Sequence, residues 1–106
     1  MELNLDAVPV THNEEAHRFE ATVDGLRCLL AYRLFPDRIV LHHTEVPTPI
    51  EGHGIAAKLT RTALDFARSH HLRVIPLCPY VANFLRQHRE YLDLISADDL
   101  QKISSR

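Results

Sequence analysis

Apolar and polar side chains alternate from His17 to Val23, with Phe19, Ala21 and Val23 on one side and Arg18, Glu20 and Thr22 on the other. This is the period of a half-buried strand. Asp24-Gly25 follows, the dipeptide most suited to a two-residue hairpin turn, and Leu26, Cys28, Leu30, Tyr32 and Leu34 then alternate with Arg27 and Arg33. A second, antiparallel strand is predicted. Phe35-Pro36-Asp37-Arg38 reads as a turn, and Ile39 to Val46 is rich in β-branched residues, which makes a third strand of a meander. Val8 to His12 is expected to add an N-terminal edge strand, because Pro9 suits an edge and not a sheet centre.

Pro47, Pro49 and Gly52 then break the chain. From Gly54 the period becomes helical, with Ile55, Leu59, Ala63, Phe66 and Ala67 on one face and Lys58, Arg61, Thr62, Asp65, Arg68 and Ser69 on the other. His70 and His71 close that helix, where imidazoles favour the terminal carbonyls. Leu72 to Leu77 contains Val74-Ile75, a short apolar run of the kind found in strands buried on both sides. Pro79 suits the first turn of a further helix from Tyr80 to about His88, and Glu90–Ile95 and Asp98–Ile103 read as short helical turns, the last free to pack on its own domain or in a dimer. Strand, helix and strand in succession make a right-handed crossover and a parallel pair. The expected fold is α/β with a mixed sheet: an antiparallel meander, a crossover helix, a parallel fourth strand and C-terminal helices.

Length and charge narrow the class. The 106 residues suit one domain, and 45% apolar with 25% charged residues is an ordinary globular balance. A net charge of -2 without a block of like charges argues against a nucleic-acid partner. No apolar run is long enough to span a membrane, and the start Met1-Glu2-Leu3-Asn4 lacks the basic and apolar regions of a signal peptide. Cys28 and Cys78, 50 positions apart and outside any C-x-x-C, are expected as free thiols in a reducing, cytoplasmic setting. The adjacent pairs His42/His43 and His70/His71 do not converge as metal ligands do, so no metal is expected.

Candidate chemistry centres on Glu51-Gly52-His53-Gly54-Ile55-Ala56-Ala57. Two glycines between a strand and a helix offer free backbone N–H groups and a helix dipole to a phosphate or pyrophosphate; the plainer alternative is that they serve only the turn. The same residues spell G-x-G-x-x-A, but the next strand ends Val74-Ile75-Pro76-Leu77-Cys78 without the acidic ribose partner of a dinucleotide site. The spacing of Lys58 also fails the P-loop pattern.

His42-His43-Thr44-Glu45-Val46, the run EGHGIAAKL and Pro76-Leu77-Cys78-Pro79-Tyr80 together resemble the GNAT acyltransferase superfamily, in particular its short single-domain N-acetyltransferase-like branch, from about Asn13 to Ile95. The resemblance implies acetyl-coenzyme A as co-substrate and an amine as acceptor. It implies that the loop from Glu51 through Gly52, His53, Gly54 and Ile55 to Ala56 holds the pyrophosphate by its backbone, with Ala57 keeping the first turn uncluttered. Glu51 departs from the family's Gln or Arg and brings a negative charge instead of a donor. Val46 matches the position whose backbone pairs with the pantetheine arm, and Cys78 matches an active-site position of the branch. Lys58 and Arg61 are placed to reach the phosphates, although a solvated helix face accounts for them equally.

Acetyl transfer requires a neutral amine, a polarised thioester and a proton for the leaving thiolate. Cys78, before a helix opened by Pro79, is the candidate at the thioester, against the plainer role of a buried packing thiol. Tyr80 is the candidate proton donor, with Tyr91 as contender and a packed ring as the bland reading of either. Asn83 is a candidate contact to the coenzyme. Strict alternation sends His42 and His43 to opposite faces, so only one of them can be the general base, with His43 as the candidate. The function expected is an acetyl-coenzyme A-dependent N-acetyltransferase working by direct transfer between the third and fourth strands of the domain. The alternatives are a non-catalytic coenzyme-binding or interaction module, or a Cys78-dependent thioesterase or self-acetylating protein.

Overall fold

A computed structural model describes residues 4–104. The polar start read at Met1–Leu3 lies outside them. Five strands form one sheet in chain order: β1 (Thr11–Asn13), β2 (Arg18–Val23), β3 (Leu26–Leu34), β4 (Arg38–Glu45) and β5 (Arg73–Pro76). The first four pair antiparallel, and β5 pairs parallel with β4. Helix α1 (Ile55–Ser69) makes the crossover, α2 (Pro79–Gln87) follows β5, and a 3-10 segment Arg89–Leu94 leads to α3 (Ala97–Ser104).

The β2–β3 hairpin turns on Asp24 (φ 51°) and Gly25 (φ 76°), the pair of positive φ angles that matches the twist of its strands. The meander turns Phe19, Ala21, Leu30, Tyr32, Ile39 and Leu41 to one side of the sheet, where all are buried. Ile55, Leu59, Ala63, Leu64 and Ala67 of α1 complete that core, each worth about 1.5–3 kcal/mol for the larger side chains. Thr60, also buried, turns its hydroxyl back to Ala56 O at 2.8 Å and so needs no other partner. Among the described residues, no helix is long and apolar enough to cross a membrane.

Four sequence expectations change. Val8 and Pro9 precede β1 instead of forming it; Val8 is buried in the core, its N–H bonded to Leu5 O at 3.1 Å behind a 3-10 turn at Leu5–Ala7. Strand β5 is an edge strand, with Val74 fully buried and Ile75 half-buried, since no further strand lies beyond it. The C-terminal turn Asp98–Ile103 is part of α3 and packs on its own core through Ile103.

The fourth change concerns His42 and His43. Leu41 pairs with Tyr32 and Thr44 with Leu30, two positions on the core side of β3, yet two residues separate Leu41 from Thr44 where alternation allows one. A β-bulge absorbs the extra residue, and both histidines are exposed.

Candidate functional site

Strands β4 and β5 stay paired only as far as Leu41 and Pro76. Pro76 has no N–H for another rung, and the bulge bends β4 away from its neighbour. The Cys78 N–H donates to Leu41 O at 2.9 Å, which fixes the near end of the gap, and Thr44 Oγ1 stands 3.3 Å from Cys78 Sγ across it. The gap is therefore written into the backbone.

Above it the chain passes through a 3-10 turn, Thr48–Ile50, into the glycine loop. Gly52 (φ 81°) and Gly54 (φ 83°) both occupy the left-handed region that side chains disfavour. Gly54 is also closely approached: a Cβ there would meet Leu5 Cδ2 at 3.1 Å. Gly54 caps α1 without a side-chain hydrogen bond, so the first-turn N–H groups keep their donors for a ligand, and the dipole of this 15-residue helix adds positive potential.

Loop and gap face one cleft of about 520 Å³, lined by Thr44, Glu45, Val46, Ile50, Glu51, Gly52, Gly54, Ile55, Ala56 and Tyr80. Val46 follows the last residue of β4, beyond the point where β5 pairs with it. Tyr80, 38% exposed, stands on the first turn of α2; burial, with the Cys78 thiol beside it, pushes its phenol above the usual value, so it stays protonated at neutral pH. Cys78 is buried at the N-cap of α2. Both cysteines are free thiols, and burial raises the pKa of Cys28.

The remaining sequence candidates lie elsewhere. His53 and Ala57 are half-buried and outside the lining, Ala57 packing on the core. The Lys58 ammonium turns to the N-terminal segment, donating to Leu5 O at 2.6 Å and to Val8 O. Arg61 lies against α2, 3.2 Å from His88 Nδ1 and over the Phe84 ring. Asn83 is exposed and accepts from Arg86 at 3.2 Å. Tyr91 is a packed ring whose hydroxyl donates to Asp65 at 3.2 Å. His43 pairs with Glu45, 3.5 Å away, and is not in the cleft lining. Sequence reasoning missed Thr44 and Ile50 as cleft residues. The signal was available for Thr44, two positions before Val46 on an alternating strand.

A splayed parallel pair with a glycine-capped crossover helix at its carboxyl end defines an α/β domain of the acyltransferase type. The sequence matches the GCN5-related N-acetyl-transferase family across residues 18–94, and the chain belongs to that family. It is 36% identical over 84 residues to Protein NATD1 of Bos taurus, covering 76% of this chain and 74% of the relative, and 33% identical to the Homo sapiens protein of that name, with the same coverage. The solution structure of a GCN5-like protein from Staphylococcus aureus superposes with a TM-score of 0.65 at 24% identity, covering 83% of this chain and 87% of that one, and shares the fold.

Proposed function

We propose that this protein binds acetyl-coenzyme A in the cleft and passes the acetyl group directly to an amine. One observation carries the reading: the left-handed glycines at the N-terminus of α1 share a cleft with Thr44 and Tyr80, and Cys78, buried outside the lining, stands 3.3 Å from Thr44. A pyrophosphate suits the N–H groups from Gly52 to Ala56, and an extended amide chain suits the unpaired backbone at Val46. The thioester then falls beside Cys78. Glu51 contributes its backbone, since its carboxylate repels phosphate.

In the reaction, the nitrogen lone pair of a neutral amine attacks the thioester carbonyl carbon. The C–N bond forms, the C–S bond breaks, the nitrogen loses a proton to solvent or a nearby base, and the thiolate takes one. Tyr80, held protonated, is the group placed to supply it. The free cysteines support a reducing, cytoplasmic setting.

The test is a thermal melt with acetyl-coenzyme A, using NAD and ATP as controls. Ligand at about 100 times its Kd adds about 2.7 kcal/mol. For a domain of this size that raises Tm by about 10 °C. Mass spectrometry of an amine panel then reads acetyl transfer. No shift with acetyl-coenzyme A overturns the coenzyme site; a shift without product across the panel leaves a coenzyme-binding module.

A further inference from the structure

The face of the sheet opposite α1 carries a row of exposed arginines, with Val40 buried between them and Ile75 half-buried toward α2 and α3. Register places Arg27, Arg33, Arg38 and Arg73 on it together with Arg18, against the carboxylates Glu20 and Glu45, in a chain whose net charge is -2. Arg18 is paired with Glu20, and Arg38 with Asp37 at 2.9 Å. Arg27, Arg33 and Arg73 are exposed. This basic face therefore sits on an otherwise acidic molecule, and it leads to the gap between β4 and β5.

We propose that the acceptor is an amine carried on an acidic, extended polypeptide that lies along this face with its amine beside His43 and Glu45. The inference rests on the acetyltransfer reading above. Exposed arginines spread over several strands favour a ligand that extends along the sheet, and a strand-like peptide gains contacts along its length. Charge complementarity supplies the specificity. Arg27 lies one side-chain row beyond Leu29, the partner of Glu45, and Arg33 lies one row beyond Ala31, the partner of His43. Arg38 and Arg73, opposite one another, make the next row but one from His43. Rows are about 7 Å apart, two residues of an extended chain. With the amine in the row of Glu45, acidic residues are thus required about two positions away on the Arg27 side and about four and six on the Arg33 side.

The probe is a fluorescein-labelled peptide with one central lysine, glutamates at that spacing and serines elsewhere, tested with its reversed sequence, a glutamine version and a single-stranded oligonucleotide of matched charge. Binding is read by fluorescence anisotropy without coenzyme. The glutamate peptide in one orientation is expected to bind at least about tenfold more tightly than the glutamine version. Arg27→Glu and Arg33→Glu should each weaken it severalfold, with Tm and the acetyl-coenzyme A shift unchanged. Equal affinity for the glutamate and glutamine peptides, absence of binding to both, or tighter binding of the oligonucleotide overturns the proposal. Peptide binding in a protein that shows no coenzyme shift keeps the docking face and rejects the coenzyme site; a coenzyme shift without peptide binding does the reverse.

Discussion

Thr44 and Cys78, 34 positions apart in sequence, meet at 3.3 Å across the point where β4 and β5 separate. The hydroxyl and the thiol are partly buried together, so each orients the other at the place where the thioester is expected. Cys78→Ala is predicted to keep the fold and to lower turnover at least about tenfold, with a smaller loss in Thr44→Val. Because the pair acts as a unit, the double variant should be no slower than Cys78→Ala. Steady-state kinetics with parallel melts check this; unchanged turnover in Cys78→Ala makes the thiol a packing group.

Tyr80→Phe removes the proton donor and leaves the ring. Turnover is expected to fall about 100-fold with the Kd for acetyl-coenzyme A unchanged. Calorimetry beside kinetics separates the two, and a loss of affinity alone would assign Tyr80 to binding.

Gly54→Val forces a β-branched residue to a φ of 83° and drives its Cβ toward Leu5. Coenzyme binding is expected to vanish, at a folding cost of about 1–3 kcal/mol that leaves the domain folded. Gly52→Ala faces open space, so its cost is confined to backbone strain of about 1 kcal/mol. Circular dichroism melts and calorimetry on both variants read the difference; retained affinity in Gly54→Val would remove the loop from the coenzyme site.

Lys58→Met tests where its ammonium is spent. Two carbonyl oxygens of the N-terminal segment accept from it, so the variant should lose about 1–3 kcal/mol of stability. Affinity for the coenzyme should change less than threefold, with no change in its salt dependence. A large fall in affinity without a fall in Tm would instead make Lys58 a phosphate ligand.

His12 Nε2 lies 2.6 Å from the Tyr32 hydroxyl, with Phe19 stacked on its ring and Phe66 against its edge. Burial lowers the His12 pKa and raises that of Tyr32, so the phenol donates to a neutral imidazole. The unfolded chain therefore binds the proton more readily. Stability should fall as pH drops through the ordinary histidine value near 6.5 toward the lower folded value. His12→Phe should flatten that part of the Tm-against-pH curve; an unchanged slope would exclude this pair as its source.

Local periodicity exposes much of this fold. Phe19, Ala21 and Val23 alternate on one strand and Leu26, Cys28, Leu30 and Tyr32 on the next, and Asp24-Gly25 between them states the hairpin outright. The bulge leaves no such mark, because His42 and His43 are both polar and either spacing reads the same until Leu41 and Thr44 are seen against β3. Lys58 was ambiguous for another reason. A long flexible side chain on a first helical turn can reach a ligand or a neighbouring segment, and only the position of Leu5 and Val8 decides. The loop was legible from its glycines, whereas Thr44 against Cys78 depends on a crossover that closes after 34 residues.

The single extra residue at His42 acts as a hinge for the end of β4. Deleting it would leave the one residue between Leu41 and Thr44 that regular alternation allows, so Thr44 would stay opposite Leu30 on the core side and Glu45 opposite Leu29, but the bend that carries β4 away from β5 would be lost. A one-residue deletion would therefore keep the facing of Thr44 and Glu45 and straighten the strand that opens the gap, a change that no substitution within the cleft could make.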